Sequence, residues 1–185
     1  MEPMVDCTMA LPEYRDSMSF TRFQRMLLGT DGTVTHILEA YAGEEIEVVK
    51  LLQEYDTVND ADLALGLAPD DKVLRRHVIL RGRNSGRHLL YAEAVVVVGR
   101  VDAAVLDGLL HTEKPIGVLL AERRTETFRE ILRVAREPAG EVGAHFGLDA
   151  GAGVISRTYA IVKDRVPLML ITEKFPSDSF RGLPA

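Results

Sequence analysis

Cysteine is almost missing from this chain: one residue, Cys7, in 185 positions. That excludes a disulfide framework and a cysteine-based metal site, and it suits a reducing, cytoplasmic setting. Long apolar runs are missing too. The longest, Ala94 to Val98, is far too short to span a bilayer, and Met1 to Pro12 have neither the basic start nor the apolar stretch of a signal peptide. Positive charge is in deficit, with 22 Lys and Arg against 28 Asp and Glu and a net charge of −6. Such a surface repels nucleic-acid phosphates and acidic lipid at long range, so neither is an expected partner, and an anionic ligand must be held by local cations.

The usual site motifs are also lacking. There is no phosphate-cradling glycine loop, no nucleophile elbow and no pair of histidines at metal-ligand spacing on one helix. His36, His77, His88, His111 and His145 are scattered, and a surface or structural role suits each better than ligation. No repeat, low-complexity tract or linker marks a boundary. With 46% hydrophobic residues, the expected organisation is an N-terminal arm over residues 1–16 and a single domain over residues 17–185.

Within that domain the periodicities predict an α+β fold. Phe20, Phe23, Met26 and Leu27 recur at helical spacing behind the candidate caps Ser17 and Ser19 and end near Gly29. After the turn at Thr30 to Thr33, the stretches Val34 to Tyr41 and Glu44 to Gln53 read as a first hairpin about Ala42-Gly43. Tyr55 to Asp71 reads as a loop with at most one helical turn. Val73 to Leu80 and Leu89 to Val98 form the clearest hairpin, closed by a turn containing Gly86. Asp102 to Leu110 reads as a short helix, and Pro115 as the first residue of another through Leu120. Arg124 to Arg136 fits neither period. Glu137 to Gly153 is a glycine-rich crossing with a short helix at Val142 to Phe146, and Val154 to Val162 with Val166 to Phe175 make a last hairpin about Lys163 to Arg165. Three hairpins with short helices between them give an antiparallel sheet of about six strands flanked by helices.

Alternation along the strands singles out three charges. Arg76 shares a face with Leu74, Val78 and Leu80; Glu173 shares one with Met169, Ile171 and Phe175; Glu93 shares one with Leu89, Tyr91, Val95 and Val97. A buried charge is costly unless it is paired or bound. A buried ion pair between Arg76 and a glutamate, or a solvated second face of the sheet, accounts for the same pattern equally well.

Four segments in order resemble the chorismate pyruvate-lyase family, in particular its divergent branch, over roughly Phe20 to Pro176. They are Leu27-Leu28-Gly29-Thr30-Asp31-Gly32-Thr33-Val34-Thr35, Leu74-Arg75-Arg76-His77-Val78-Ile79-Leu80, Lys114-Pro115-Ile116-Gly117, and Pro167-Leu168-Met169-Leu170-Ile171-Thr172-Glu173-Lys174-Phe175-Pro176. The resemblance implies a chorismate lyase-like fold and a carbon–oxygen lyase that needs no metal or redox cofactor. It would turn chorismate into 4-hydroxybenzoate and pyruvate. It further implies that Arg76 grips the ring carboxylate, aided by backbone amides at Val34, Ile116 and Gly117, and that Glu173 reaches the far end of the ring. Arg76 and Glu173 are then the catalytic candidates, and Glu93 is a further substrate contact. A carboxyl among Met169, Ile171 and Phe175 is expected to have a raised pKa and to serve as an acid or hydrogen-bond donor.

One departure stands out. Where better-known members carry a Gly-Arg pair on the second strand of the central hairpin, this chain has Ala92-Glu93. That leaves open a different cyclohexadiene or enolpyruvyl carboxylate as substrate. A non-catalytic aromatic-acid sensor is the alternative from another class, since ligand-sensing domains of some bacterial regulators look like this fold. Arg124, Arg129 and Arg157 are further candidates for a second carboxylate, and a monomer is the expected state.

Overall fold

The computed structural model describes residues 20–58, 65–67 and 71–180. The N-terminal arm and the caps Ser17 and Ser19 lie outside these residues. Helix α1, Arg22–Gly29, is instead capped by Thr21: its side chain accepts from the Gln24 amide while the Gln24 side chain accepts from the Thr21 amide.

The first hairpin is corrected. Val34–Ala42 is a helix, α2, which ends on Gly43 in the left-handed region at φ 69°. Its β-branched and aromatic residues suggest a strand, but Val34, Ile37, Leu38 and Tyr41 fall at helical spacing, and packing of that stripe outweighs propensity. Strand β1, Ile46–Thr57, therefore has no hairpin partner before it and pairs with β2, Lys72–Gly82, across the long connection. Most of that connection lies outside the described residues.

The central hairpin of β2 with β3, His88–Val97, is as expected. Helix α3, Ala103–His111, starts on Asp102, whose side chain accepts from the Ala104 amide. Helix α4, Ile116–Glu122, follows Pro115, which is the N-cap and not the first helical residue. The ambiguous stretch is strand β4, Phe128–Pro138. A short 3-10 turn over Gly140–Phe146 leads to the final hairpin of β5, Gly153–Lys163, with β6, Val166–Pro176. The six strands form one antiparallel sheet in the order β1-β2-β3-β6-β5-β4.

The helices cover one face of this sheet in two groups. Leu27, Leu28, Val34 and Leu38 of α1 and α2 pack on Val48, Leu80, Leu90, Ile155 and Phe175. Val105, Leu109, Leu119 and Leu120 of α3 and α4 pack on Leu74, Val96, Ile161, Met169 and Ile171. α3 and α4 approach closely at Gly108, where a Cβ would lie 2.7 Å from the Leu119 side chain. The helix-covered face thus carries two apolar clusters, with the polar residues in the seam between them, while a smaller cluster of Leu65, Leu67, Val73 and Val97 lies on the opposite face.

Candidate active site

The seam holds a cavity of about 600 Å³ of atom-free space, counting the part open to solvent. Every strand contributes to its wall, from Val48 of β1 to Arg129 of β4, so the sheet wraps around it. The first residues of α2 and α4, Val34, Thr35, Ile116 and Gly117, complete the lining. Amides in the first turn of a helix have no intrahelical acceptor, so two helix starts face the same space. They meet closely: a Cβ on Gly117 would stand 3.0 Å from Thr33 Cγ2 and 3.2 Å from its Oγ1.

Strand pairing brings the predicted charges together. Arg76 faces Ala94 on β3, Ala94 faces Ile171 on β6, and Ala92 faces Glu173, so both charges project from one side of the sheet. Arg76 is 2% and Glu173 3% exposed. Both line the cavity, as do Val34, Ile116 and Gly117. Glu93 does not. It pairs with His77 on β2 and Thr172 on β6, which turns it to the opposite face, where it accepts a hydrogen bond from Tyr91 Oη at 3.0 Å. Its assignment as a substrate contact is corrected for that reason; the neighbour that does reach the cavity is Ala92.

The two buried charges have different partners. Each oxygen of Glu173 has one donor: Oε2 accepts from Arg157 Nε at 2.6 Å and Oε1 from Tyr159 Oη at 2.9 Å, which leaves lone pairs on both. The premise of an acid with only apolar neighbours therefore fails, and Glu173 is an acceptor on both oxygens. Arg157, itself 1% exposed, also donates through Nη1 to the Thr30 carbonyl at 2.7 Å. Burial acts to lower the Arg157 pKa, but the Glu173 charge and Tyr159 outweigh it, and the net direction is upward. Burial, then the Glu173 charge, drive the Tyr159 hydroxyl far above the usual phenol range. Tyr159 therefore keeps its proton and remains a donor.

Arg76 has no such partner among the described residues. Its Nη2 donates to the Lys114 carbonyl at 3.3 Å, while its buried Nε and Nη1 have no acceptor. Burial lowers its pKa to about 10. A guanidinium that is buried, has no carboxylate partner among the described residues and faces a cavity has the chemistry to hold a carboxylate.

Sequence reasoning did not assign the Arg157–Glu173–Tyr159 cluster. The signal was present, because Arg157 and Tyr159 alternate with Ile155 and Ile161 on β5 just as Arg76 does on β2.

Residues 27–181 match the family described as chorismate pyruvate-lyase, Rv2949c-like. A chorismate pyruvate-lyase of Mycobacterium tuberculosis is 29% identical over 185 residues, covering 98% of this chain and 92% of that protein. One from Mycobacterium leprae is 29% identical over 182 residues, covering 98% of this chain and 85% of that protein. Among solved structures, the effector domain of PhnF from Mycobacterium smegmatis superposes with a TM-score of 0.63 at 17% identity, covering 80% of this chain and 90% of that one. That last likeness bears on the fold alone.

Proposed function

Because the chain belongs to the Rv2949c-like chorismate pyruvate-lyase family, we propose that it cleaves chorismate to 4-hydroxybenzoate and pyruvate. The observation that carries this reading is the unpaired, buried Arg76 guanidinium facing a cavity that also holds an anchored carboxylate, Glu173.

The chemistry asks little beyond placement. The bond between the ring and the enolpyruvyl oxygen breaks with its electron pair going to that oxygen. The ring carbon bearing the hydroxyl loses its hydrogen as a proton, and the released enolpyruvate takes up a proton to become pyruvate. Atoms and electrons balance without an oxidant or co-reactant, and aromatisation drives the reaction forward.

In this reading Arg76 holds the ring carboxylate through Nε and Nη1, with amides at the starts of α2 and α4 assisting. The ring lies on the apolar wall formed by Val78, Ala92, Ala94 and Ile171. Glu173, fixed by Arg157 and Tyr159, accepts a hydrogen bond from the ring hydroxyl and orients the carbon that gives up its proton. Ala92 presents only a methyl group to that wall.

Incubating the protein with chorismate and separating the products by chromatography tests the reading directly. Equimolar 4-hydroxybenzoate and pyruvate are expected. Tight binding of 4-hydroxybenzoate without turnover would mean a binding module, and turnover only of another enolpyruvyl carboxylate would mean a different substrate.

A further inference from the structure

Arg76 accounts for one carboxylate, whereas an enolpyruvyl substrate carries two. Three arginines are close enough in sequence or space to be considered for the second. Arg157 is held by Glu173 through Nε and by the Thr30 carbonyl through Nη1, and although its Nη2 has no acceptor, Arg157 does not line the cavity. Arg124 sits exposed in the turn after α4 with φ 50° and does not line the cavity. Arg129 does line it.

Arg129 reaches the cavity from the far side. It projects from β4 and Arg76 from β2, four strands apart, so their backbones are separated by roughly four spacings of about 4.8 Å along the sheet. Arg129 Nη1 donates to the Asp31 carbonyl, which fixes the plane of the guanidinium. Its Nε is buried without an acceptor, and Nη2 lies 3.5 Å from where a Gly117 Cβ would be, beside the junction of the two helix starts. Among the described residues no carboxylate pairs with it. Arg157 and Glu173 neutralise each other, so Arg76 and Arg129 leave the cavity two uncompensated positive charges within a chain whose net charge is −6.

We propose that Arg129 receives the carboxylate of the enolpyruvyl side chain, so that the cavity selects a dicarboxylate by spanning it between two guanidiniums. This deepens the lyase reading and rests on it. After cleavage each product retains one anion, the aromatic acid on Arg76 and the three-carbon acid on Arg129. A monocarboxylate satisfies only one of the two cations, buried Arg76 or half-buried Arg129, and should bind more weakly than a dicarboxylate of matching shape.

The test uses Arg129→Gln and Arg129→Lys in the full chain, with calorimetry of two unreactive probes. One is benzoate; the other is 3-(carboxymethoxy)benzoate, which places a second carboxylate on an ether arm at the position of the enolpyruvyl group. The parent should prefer the dicarboxylate. Arg129→Gln should weaken the dicarboxylate by about 10- to 100-fold, as expected for loss of a charge-assisted hydrogen bond, and leave benzoate within about twofold. Arg129→Lys should recover part of the loss. If both probes weaken together, Arg129 only props the Asp31 turn and the proposal is overturned. It is equally overturned if neither changes. Chorismate turnover by the parent, measured alongside, tests the lyase reading separately: absent turnover with an intact dicarboxylate preference removes the reaction but keeps the role of Arg129.

Discussion

Replacing Arg76 by methionine should make the empty protein more stable while abolishing ligand binding. Arg76 is 2% exposed, has no carboxylate partner among the described residues, and leaves Nε and Nη1 without acceptors. Two estimates of its cost agree. An unsatisfied buried donor costs about 1–3 kcal/mol, so two cost roughly 2–6 kcal/mol. Burial lowers the guanidinium pKa from its ordinary value to about 10, which corresponds to roughly 3 kcal/mol. The sign is clear: the unfolded chain holds this proton more tightly than the folded one, so at neutral pH, below both values, the charge opposes folding. Methionine is flexible, similar in length and apolar, and exchange of buried charge for apolar groups is often neutral or stabilising by about 1–4 kcal/mol. A gain near 2 kcal/mol would raise Tm by roughly 4–8 °C for a domain of this size. Thermal unfolding with and without 4-hydroxybenzoate measures both halves: the parent should gain Tm on adding ligand, and Arg76→Met should start higher and gain nothing. A fall in Tm for Arg76→Met would show that contacts within the fold already compensate the charge, and the carboxylate-site argument would fail.

Three further outcomes follow from the same geometry. Glu173→Gln leaves Arg157 buried without its counter-charge and should destabilise by about 3–5 kcal/mol in denaturant titrations, with turnover down about 100-fold or more; the pair Arg157→Met with Glu173→Leu should regain much of the stability and none of the activity. Gly117→Ala puts a methyl 3.0 Å from Thr33 Cγ2 and should weaken substrate binding severalfold, and adding Thr33→Ser, which removes that methyl, should restore it; a double-mutant cycle with no coupling would refute the contact. Gly43→Ala has open space around its new methyl but a left-handed φ of 69°, so it should cost about 1–2 kcal/mol of stability at the end of α2 without altering affinity at the cavity.

Strand alternation was enough to find Arg76 and Glu173, because β2 and β6 keep an unbroken period through those residues. It failed on β4 for a physical reason. The pairing of β4 with β5 shifts between Ile131 and Arg133, and a bulge of one residue reverses which face each later side chain meets. Neither period fits across such a break, and Arg129 lies just before it. The pairing of β1 with β2 shifts likewise between Lys50 and Leu52 and leaves Leu51 exposed. α2 was misread for a different reason: its residues favour strands individually, and only the helical spacing of those that reach the core reveals the helix. Glu93 was placed on the correct strand and in correct alternation with Tyr91. An apolar face, however, does not announce which side of the sheet it covers, and that face is the one opposite the cavity.

The position of the site explains why it can hold uncompensated charge at all. A single continuous core would have closed over Arg76, but here the helices sit in two groups, α1 with α2 and α3 with α4, and the polar residues occupy the line where neither group reaches. Helices α2 and α4 both start at that line, so the apolar face of each packs on one cluster while its first residues line the gap. Glu173 accepts from Arg157 and Tyr159, and Arg157 through the Thr30 carbonyl ties the turn before α2 to the sheet, with its Nη2 left without an acceptor. Stability comes from the flanking apolar clusters, while the buried Nε and Nη1 of Arg76 and Nε of Arg129 have no acceptor among the described residues.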